Sequence, residues 1–365
     1  MHKMRASILL AVLSLLLIST AYAQTNKLEF KPYGYFKLDM AYDTARTNSG
    51  NYVFWVNSTG KDGEFNMTAR QTRLGGNLSF TELNDKKVTA NFEIDFYGGG
   101  AENKNTMMMR HAYLKVDFEN YYILAGQTSD VVSPLVPTTV NYTVLWNCGN
   151  VGYRHPQLQI GNNATRGLQI IGALSRNIEN NFDADKDSSL PSLQARLSYI
   201  TSALNVGISG HYGKSEYIND EGDNKNYKSY SLNIHGNYAV TNAILVKGEL
   251  FTGRTLDQYL GGVGQGFIEE KEVESSGGWI NSVLKVGNNT SYGIGLGIDQ
   301  PNKDNIKDPL NRSSNRCIFT NVFTKIAHNT TFALELSHWT TGYFNAVGEK
   351  DKSNIRAHTA LILNF

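Results

Sequence analysis

The most informative absence in this sequence is that of any long apolar run after its first twenty residues. A transmembrane helix needs roughly 20 consecutive apolar residues, and no later window contains such a run. Helical periodicity and long buried apolar strands, which a soluble domain of this size normally shows, are also missing over any useful distance. Proline is scarce, at 7 residues. The 34 basic and 33 acidic residues nearly cancel, so charge gives no reason to expect a nucleic-acid partner.

The start of the chain has the three parts of a secretory signal peptide. Lys3 and Arg5 make a basic start, an apolar core follows over Ile8–Ile18, and Ala21-Tyr22-Ala23 is a small-x-small cleavage site. A membrane anchor is the alternative, but the apolar stretch is shorter than the roughly 20 residues that span a bilayer. We therefore expect export, cleavage after Ala23, and a single domain over residues 24–365.

What the sequence does contain is strict alternation of apolar and polar residues in many short runs. In one run the apolar face consists of Val88, Ala90, Phe92, Ile94 and Phe96, and the polar face of Thr89, Asn91, Glu93, Asp95 and Tyr97. Successive side chains of a strand point to opposite sides of a sheet. The same alternation recurs over residues 230–238 and 355–365. This pattern predicts strands with one face toward lipid and the other toward water.

The connections between these runs are alternately short and long. Short turns rich in Asn, Asp and Gly lie near residues 83–85, 119–120, 162–164, 202–203, 241–242, 287–289 and 328–329. Longer connections lie near residues 44–66, 98–108, 130–154, 177–191, 214–227, 255–277, 300–314 and 341–353. Seven turns and eight loops predict an all-β fold, a transmembrane antiparallel β-barrel of about 16 strands. A barrel this wide is expected to enclose an aqueous channel.

The third long connection, Ser129–Arg154, is unusually apolar for an exposed loop. It contains Pro134, Pro137, Tyr142 and Trp146. Large apolar patches are uncommon on a solvated surface without a partner. We therefore expect this third extracellular loop to fold inward and narrow the channel. The alternative is that it packs against a neighbouring subunit or over the mouth of the barrel.

Charged residues group on the predicted inner wall near this loop. They are the basic Arg70, Arg73, Arg110, His111 and Lys115 and the acidic Asp39, Glu93 and Asp95. Alternation along the strands points the other residues inward. It does not predict whether the side chains of Arg70 and Arg110, at the outer rim, point inward or outward. Clusters of Arg and Lys favour anions in a channel, and a guanidinium matches a carboxylate bidentately. The alternative for any one of these residues is that it only pairs with a neighbouring wall charge.

Several motifs in the first five strands together resemble one family, the DcaP-like porins. They are Gly34-Tyr35-Phe36-Lys37-Leu38-Asp39, Arg70-Gln71-Thr72-Arg73-Leu74-Gly75, Glu93-Ile94-Asp95-Phe96-Tyr97-Gly98, Arg110-His111-Ala112-Tyr113 and Leu124-Ala125-Gly126-Gln127-Thr128. The resemblance implies a trimeric porin in the outer membrane of a Gram-negative bacterium. It also implies that the pore passes small anions, notably dicarboxylates, with Arg70, Arg73 and Arg110 as pore arginines.

Two other classes of function stay open for a barrel. An outer-membrane enzyme, such as a lipase or protease, needs a nucleophile and a base within hydrogen-bond reach, whereas Ser337 and His338 are adjacent and point to opposite faces. A gated transporter of hydrophobic solutes needs a more apolar interior and an N-terminal plug. We expect a non-enzymatic channel without a cofactor, since the histidines show no metal-ligand spacing.

Three smaller features of the sequence carry further expectations. Phe365, which keeps the lipid-facing phase of its strand, looks like the C-terminal signal read by the outer-membrane barrel-assembly machinery. Cys148 and Cys317 are the only cysteines, and we expect separate thiols. The segment Gly261–Gly266 lacks a following helix, so we expect a flexible loop and no phosphate site.

Overall fold

The computed structural model describes residues 28–60, 62–81, 86–99, 104–176, 190–218, 222–268, 271–306, 310–345 and 348–365. The predicted signal peptide, the turn near residues 83–85 and most of the connection at 177–191 lie outside the described residues. Among the described residues, no helix is long and apolar enough to cross a membrane.

The described residues form nineteen strands in chain order. They are β1 (Glu29–Asp43), β2 (Glu64–Thr68), β3 (Arg73–Thr81), β4 (Lys87–Asp95), β5 (Met108–Asp117), β6 (Tyr121–Ser129), β7 (Arg154–Asn162), β8 (Gly167–Ser175), β9 (Ser192–Ile200), β10 (Leu204–Ile218), β11 (Asn224–Ala239), β12 (Ile244–Arg254), β13 (Phe267–Ile268), β14 (Lys271–Glu272), β15 (Glu274–Val286), β16 (Thr290–Pro301), β17 (Arg312–Ala327), β18 (Thr330–Asn345) and β19 (Gly348–Asn364). Two short 3-10 turns lie at Asp257–Tyr259 and Lys303–Asn305.

Seventeen of these strands make one antiparallel sheet that closes on itself. The closure joins β1 to β19, with Tyr35 opposite Asn364 and Asp43 opposite Arg356. β2 and β3 both pair with β1, one along its C-terminal half and the other along its N-terminal half. They therefore share one position in the wall, and the seventeen strands fill sixteen positions. The prediction of a 16-stranded antiparallel barrel is confirmed.

The break between β2 and β3 is bridged by a side chain. The hydroxyl oxygen of Thr72 accepts a hydrogen bond from the Lys37 N–H at 3.2 Å and donates to the Lys37 carbonyl at 3.4 Å. Both backbone groups of Lys37 are thus satisfied where the neighbouring strand is interrupted, as buried backbone groups require.

The outer face of the barrel is apolar and the inner face is polar, as the alternation predicts. On β11, Ile234 is 50% exposed on the outside while the next residue, His235, is 1% exposed on the inside. On β19, Ile355 and Leu361 face outward while Arg356 and His358 are buried inside. The buried interior is therefore the space enclosed by the wall.

Two predicted connections are mostly strand. The connection expected at 214–227 is reduced because β10 reaches Ile218 and β11 begins at Asn224, and the one expected at 341–353 is reduced because β18 reaches Asn345 and β19 begins at Gly348. Beyond a bilayer both faces of a hairpin meet water. Apolar alternation is lost there although strand pairing continues, so the pattern gives no sign of these strand ends.

Among the described residues, three connections fold into the barrel: loop 1 (44–60 and 62–63), loop 3 (130–153) and loop 6 (255–268 and 271–273). The inward fold predicted for loop 3 is confirmed, but the inward folds of the other two were not predicted. Val53 and Val56 of loop 1 are buried beside Leu145 of loop 3. The Gly261–Gly266 segment of loop 6, expected to be flexible, is buried throughout.

We expect the cost of a charged residue on the outer face to depend on its depth in the bilayer. Ile234 lies between Ile208 and Leu250, all three exposed on the outside, so Ile234→Arg is expected to lower the free energy of unfolding by about 2–4 kcal/mol. Tyr238→Arg, next to the end of the same strand, is expected to cost about 0–1 kcal/mol. Urea unfolding in lipid vesicles measures both, and equal costs would contradict a membrane belt.

Candidate functional site in the barrel interior

Loop 3 runs along the inside of the wall and is held there by inward-facing side chains. Its backbone N–H groups donate to side chains of five strands in order around the barrel. The pairs are Val131 with Gln194 of β9 (2.7 Å), Ser133 with Ser209 of β10 (3.2 Å), Leu135 with Glu249 of β12 (2.9 Å), Thr138 with Asn281 of β15 (2.9 Å) and Val140 with Glu335 of β18 (2.7 Å). A loop without regular structure needs such partners when its backbone is buried. The wall therefore fixes the path of loop 3 over half of the barrel.

The far end of this path is fixed by a buried group of charges. Glu335 also accepts a hydrogen bond from the Asn141 N–H at 3.4 Å, and the ammonium of Lys37 donates to the Val140 carbonyl at 3.0 Å. Lys37 lies 2.9 Å from Asp39, which lies 2.9 Å from His358. Asp39, one of the predicted pore-lining acids, is thus inside the barrel, where its contacts are with Lys37 and His358.

Five of the predicted charged residues meet beside loop 3. Arg110 Nε donates to Asp95 at 2.6 Å, and Arg73 lies 3.4 Å from the same carboxylate and 3.3 Å from Glu93. His111 lies 3.8 Å from Glu93, and its other ring nitrogen lies 3.0 Å from the hydroxyl of Thr128. Each of these arginines is therefore compensated by at least one carboxylate.

The direction of Arg110, which the sequence phase leaves open, is set by a β-bulge. Glu93 pairs with His111, but the next residue, Ile94, pairs with Met109, so Arg110 has no residue opposite it. An extra residue of this kind re-aims a side chain. Arg110 turns inward, is fully buried, and donates to the hydroxyl of Tyr142 in loop 3.

Arg70 and Lys115 lie apart from this group. Arg70 sits in the break between β2 and β3, where it donates to the carbonyls of Phe96 and Gly99 at 3.1 and 3.2 Å. Lys115 faces inward and forms an ion pair with Asp117 at 2.5 Å. In both cases the bonding partners belong to the wall or its connections.

Arg154 is a basic residue of this region that the sequence analysis missed as a candidate. Its guanidinium lies 5.8 Å from the ring of Trp146 and 5.9 Å from that of Tyr153, and its Nε and Nη1 have no hydrogen-bond partner among the described residues. It is close enough to Arg73 and Arg110 for the three positive charges to interact. Arg154 is the first residue of its strand, where alternation does not yet define a face; the only sequence signal was its place in Tyr153-Arg154-His155.

The predicted constriction residues of loop 3 occupy different surroundings. Tyr142 stacks against Tyr97 with ring centroids 4.4 Å apart, and Trp146 is buried between loops 1 and 6. Pro137 is buried, and Pro134 lines a cavity against the wall. Loop 3 is thus packed on the other inward loops as well as on the wall.

The start of loop 3 is held by an ionised carboxylate. Asp130 Oδ1 lies 2.7 Å from His155 and accepts a hydrogen bond from Gln194 at 3.0 Å, and Oδ2 accepts one from the Tyr153 N–H at 2.7 Å. Burial would raise the pKa of Asp130, but the electrostatic interaction with His155 and these hydrogen bonds together hold it below its ordinary value. The cysteines contribute no covalent link, since Cys148 of loop 3 and Cys317 of β17 are buried free thiols.

In the described part of the chain, no group of His, Cys, Asp and Glu side chains is placed to hold a metal ion.

Comparison with solved structures agrees with this architecture. No protein-family model matches the chain, and no curated protein matches it by sequence. The outer membrane channel DcaP of Acinetobacter baumannii has a similar fold, with a TM-score of 0.79 and 17% identity over 93% of this chain and 97% of that one. The trimer form of OmpT of Vibrio cholerae (TM-score 0.59, 11% identity, coverage 93% and 99%) and Salmonella typhi OmpF in complex with daunomycin (0.58, 12%, 93% and 98%) are also similar. The chain therefore has a DcaP-like porin fold.

The carboxylate shared by two arginines is expected to be important for stability. Arg110 and Asp95 are both 0% exposed, so Asp95→Asn leaves a buried cation without its counter-charge, and the free energy of unfolding is expected to fall by about 3–5 kcal/mol. Asp117→Asn, which breaks the more exposed pair with Lys115, is expected to cost at most about 1 kcal/mol. Urea unfolding in vesicles compares the two, and similar losses would show that Asp95 does not compensate Arg110.

The anchoring of loop 3 can be tested at Glu335. In Glu335→Gln one carboxylate oxygen becomes an amide donor, so the Val140 or Asn141 N–H loses its acceptor. We expect hydrogen exchange at these two amides to become about tenfold faster, corresponding to about 1.4 kcal/mol. Glu349→Gln, at a rim position bonded to Ser313, is the matched control. Unchanged exchange in Glu335→Gln would mean that the wall does not hold loop 3 through this residue.

Proposed function

We propose that this chain is an outer-membrane porin that lets small hydrophilic solutes diffuse through a water-filled channel and favours anions. The observation that carries the proposal is the basic cluster, defined as Arg73, Arg110, Arg154 and His111, which lies inside a closed barrel with an apolar outer face. A charged interior behind an apolar exterior has no use in a water-soluble protein and is typical of a transmembrane channel.

Location in the outer membrane of a Gram-negative bacterium is supported by three independent features. The solved structures of similar fold are outer-membrane proteins and channels. The first 23 residues have the pattern of an export signal, and residues 24–365 follow as one barrel domain. Phe365 ends the chain on the outer face, as a signal for the barrel-assembly machinery requires.

The preference for anions follows from a charge count at the cluster. Arg73, Arg110 and Arg154 supply three positive charges, and Glu93 and Asp95 supply two negative ones, which leaves one positive charge in excess. Positive lining favours anions. The resemblance to DcaP-like porins narrows the class of solute to small carboxylates, dicarboxylates among them.

A homotrimer is the proposed assembly. The support is the resemblance to the family and the trimer form of a protein with the same fold. The alternative of an outer-membrane enzyme gains nothing from the structure at Ser337 and His338, since Ser337 is buried inside the barrel and His338 is exposed on its outer side.

Planar-bilayer recording tests the proposal. We expect stable conductance in groups of three equal steps and, in a potassium chloride gradient, a reversal potential of the sign given by chloride selectivity. In the double variant Arg73→Ala/Arg110→Ala, the remaining Arg154 faces Glu93 and Asp95, so the excess charge becomes one negative and the reversal potential is expected to shift toward cation selectivity.

Arg316→Gln, which removes a positive charge paired with Asp351 on the outer side, is the control and is expected to leave the reversal potential unchanged. Absence of conductance from correctly folded barrels would overturn the channel. Unchanged selectivity in the double variant would overturn the role of the cluster.

A further inference from the structure

A cavity of about 330 Å³ lies between loop 3 and the inner faces of β6 to β9. Much of its wall is apolar: Leu124 and Ile171 come from the barrel, and Val131, Pro134 and Val136 from loop 3. Small-molecule sites are concave, mostly apolar, and carry a few convergent polar groups. This cavity has the volume of a small-molecule site, and its lining combines apolar with polar side chains.

Two arginines line this cavity, and no carboxylate among the described residues forms an ion pair with either. Arg154 has only the aromatic contacts described above, and its Nε and Nη1 are shielded from solvent without a hydrogen-bond partner. Arg196 donates to the Val131 carbonyl at 3.1 Å and to Gln169 at 3.4 Å, while its Nε is shielded and unpartnered. Shielded donors without partners are costly and rare in native structures. Arg73 and Arg110 each have one such nitrogen as well, but their charges are already matched by Glu93 and Asp95.

The carboxylate that lines the cavity, Asp130, does not supply the missing partner. Both of its oxygens are engaged by His155, Gln194 and the Tyr153 N–H. Counting Arg154, Arg196 and Asp130, the cavity wall carries two positive charges and one negative charge. A negative group entering the cavity meets guanidinium donors that are otherwise unmatched.

We propose that this cavity is a binding site for a small organic anion that has a carboxylate at one end and an apolar ring or branched body at the other. The carboxylate pairs with Arg154 and Arg196, since charge-assisted bonds between guanidinium and carboxylate are the strong ones. The apolar body rests on Leu124, Ile171 and the valines of loop 3. This site adds a binding step to the proposed channel function. It rests on that function only because the anion must enter from the lumen.

Equilibrium dialysis of labelled benzoate against the folded, detergent-solubilised barrel tests the site without relying on conductance. We expect saturable binding of benzoate at least about tenfold tighter than that of acetate, because acetate lacks the apolar body. Arg154→Gln and Arg196→Gln are each expected to raise the dissociation constant of benzoate about tenfold. Arg316→Gln, which also removes one positive charge but on the outer side of the barrel, is expected to leave the dissociation constant of benzoate unchanged.

Ile171→Phe keeps every charge and fills part of the cavity, so it is expected to weaken benzoate binding severalfold while acetate binding changes little. Equal affinity for benzoate and acetate, or benzoate binding that is insensitive to both arginine variants, would overturn the site. A chain that conducts ions but does not retain benzoate would overturn the site and leave the channel standing. A chain that retains benzoate through Arg154 and Arg196 but does not conduct would overturn the channel and leave the site.

Discussion

The structure depends on one constraint, which is that every backbone hydrogen bond of the wall must be made inside the sheet. Lipid offers no donors or acceptors, so a membrane sheet has to close. Here β1 pairs with β19 on one side and with β2 and β3 on the other. Where the neighbouring strand is interrupted, the Thr72 hydroxyl takes over the bonds of Lys37. Closure fixes which side chains face lipid and which face the interior, and everything inside the barrel is built on that division.

The buried backbone of loop 3 also needs hydrogen-bond partners inside the protein. Its buried backbone has no ladder of its own, so Gln194, Glu249 and Glu335 on the wall accept its N–H groups. Inward polar residues of a barrel are therefore shared between two tasks, which are support of the inward loops and contact with solutes. Lys37, Asp39 and His358 support the inward loops, although their position in the sequence pattern is the same as that of residues that line the lumen.

Alternation with a period of two predicted most of the wall, because β11 and β19 each bury one face and expose the other. Alternation did not predict the structure where the two faces of a strand no longer differ in polarity. The hairpin of β18 and β19 extends beyond the predicted belt, where both faces are polar, and the bulge at Arg110 shifts the register by a residue that no local pattern marks. The inward folds of loops 1 and 6 were missed because Val53, Val56 and Tyr259 are buried by distant segments, and contacts of this kind have no periodic signature.

Whether a charged residue acts on a solute depends on whether another charge of the protein neutralises it. The phase of a strand does not reveal this. Arg73 was found from its strand phase, and Arg110 from the resemblance to DcaP-like porins. Both lie inside the barrel. Their positive charges are largely matched by Glu93 and Asp95. Arg154, which no strand phase identified, keeps unmatched donors because Trp146 and Tyr153 shield it without neutralising it. An aromatic contact positions a cation without supplying a negative charge, so Arg154 is the residue of the basic cluster whose charge the protein neutralises least.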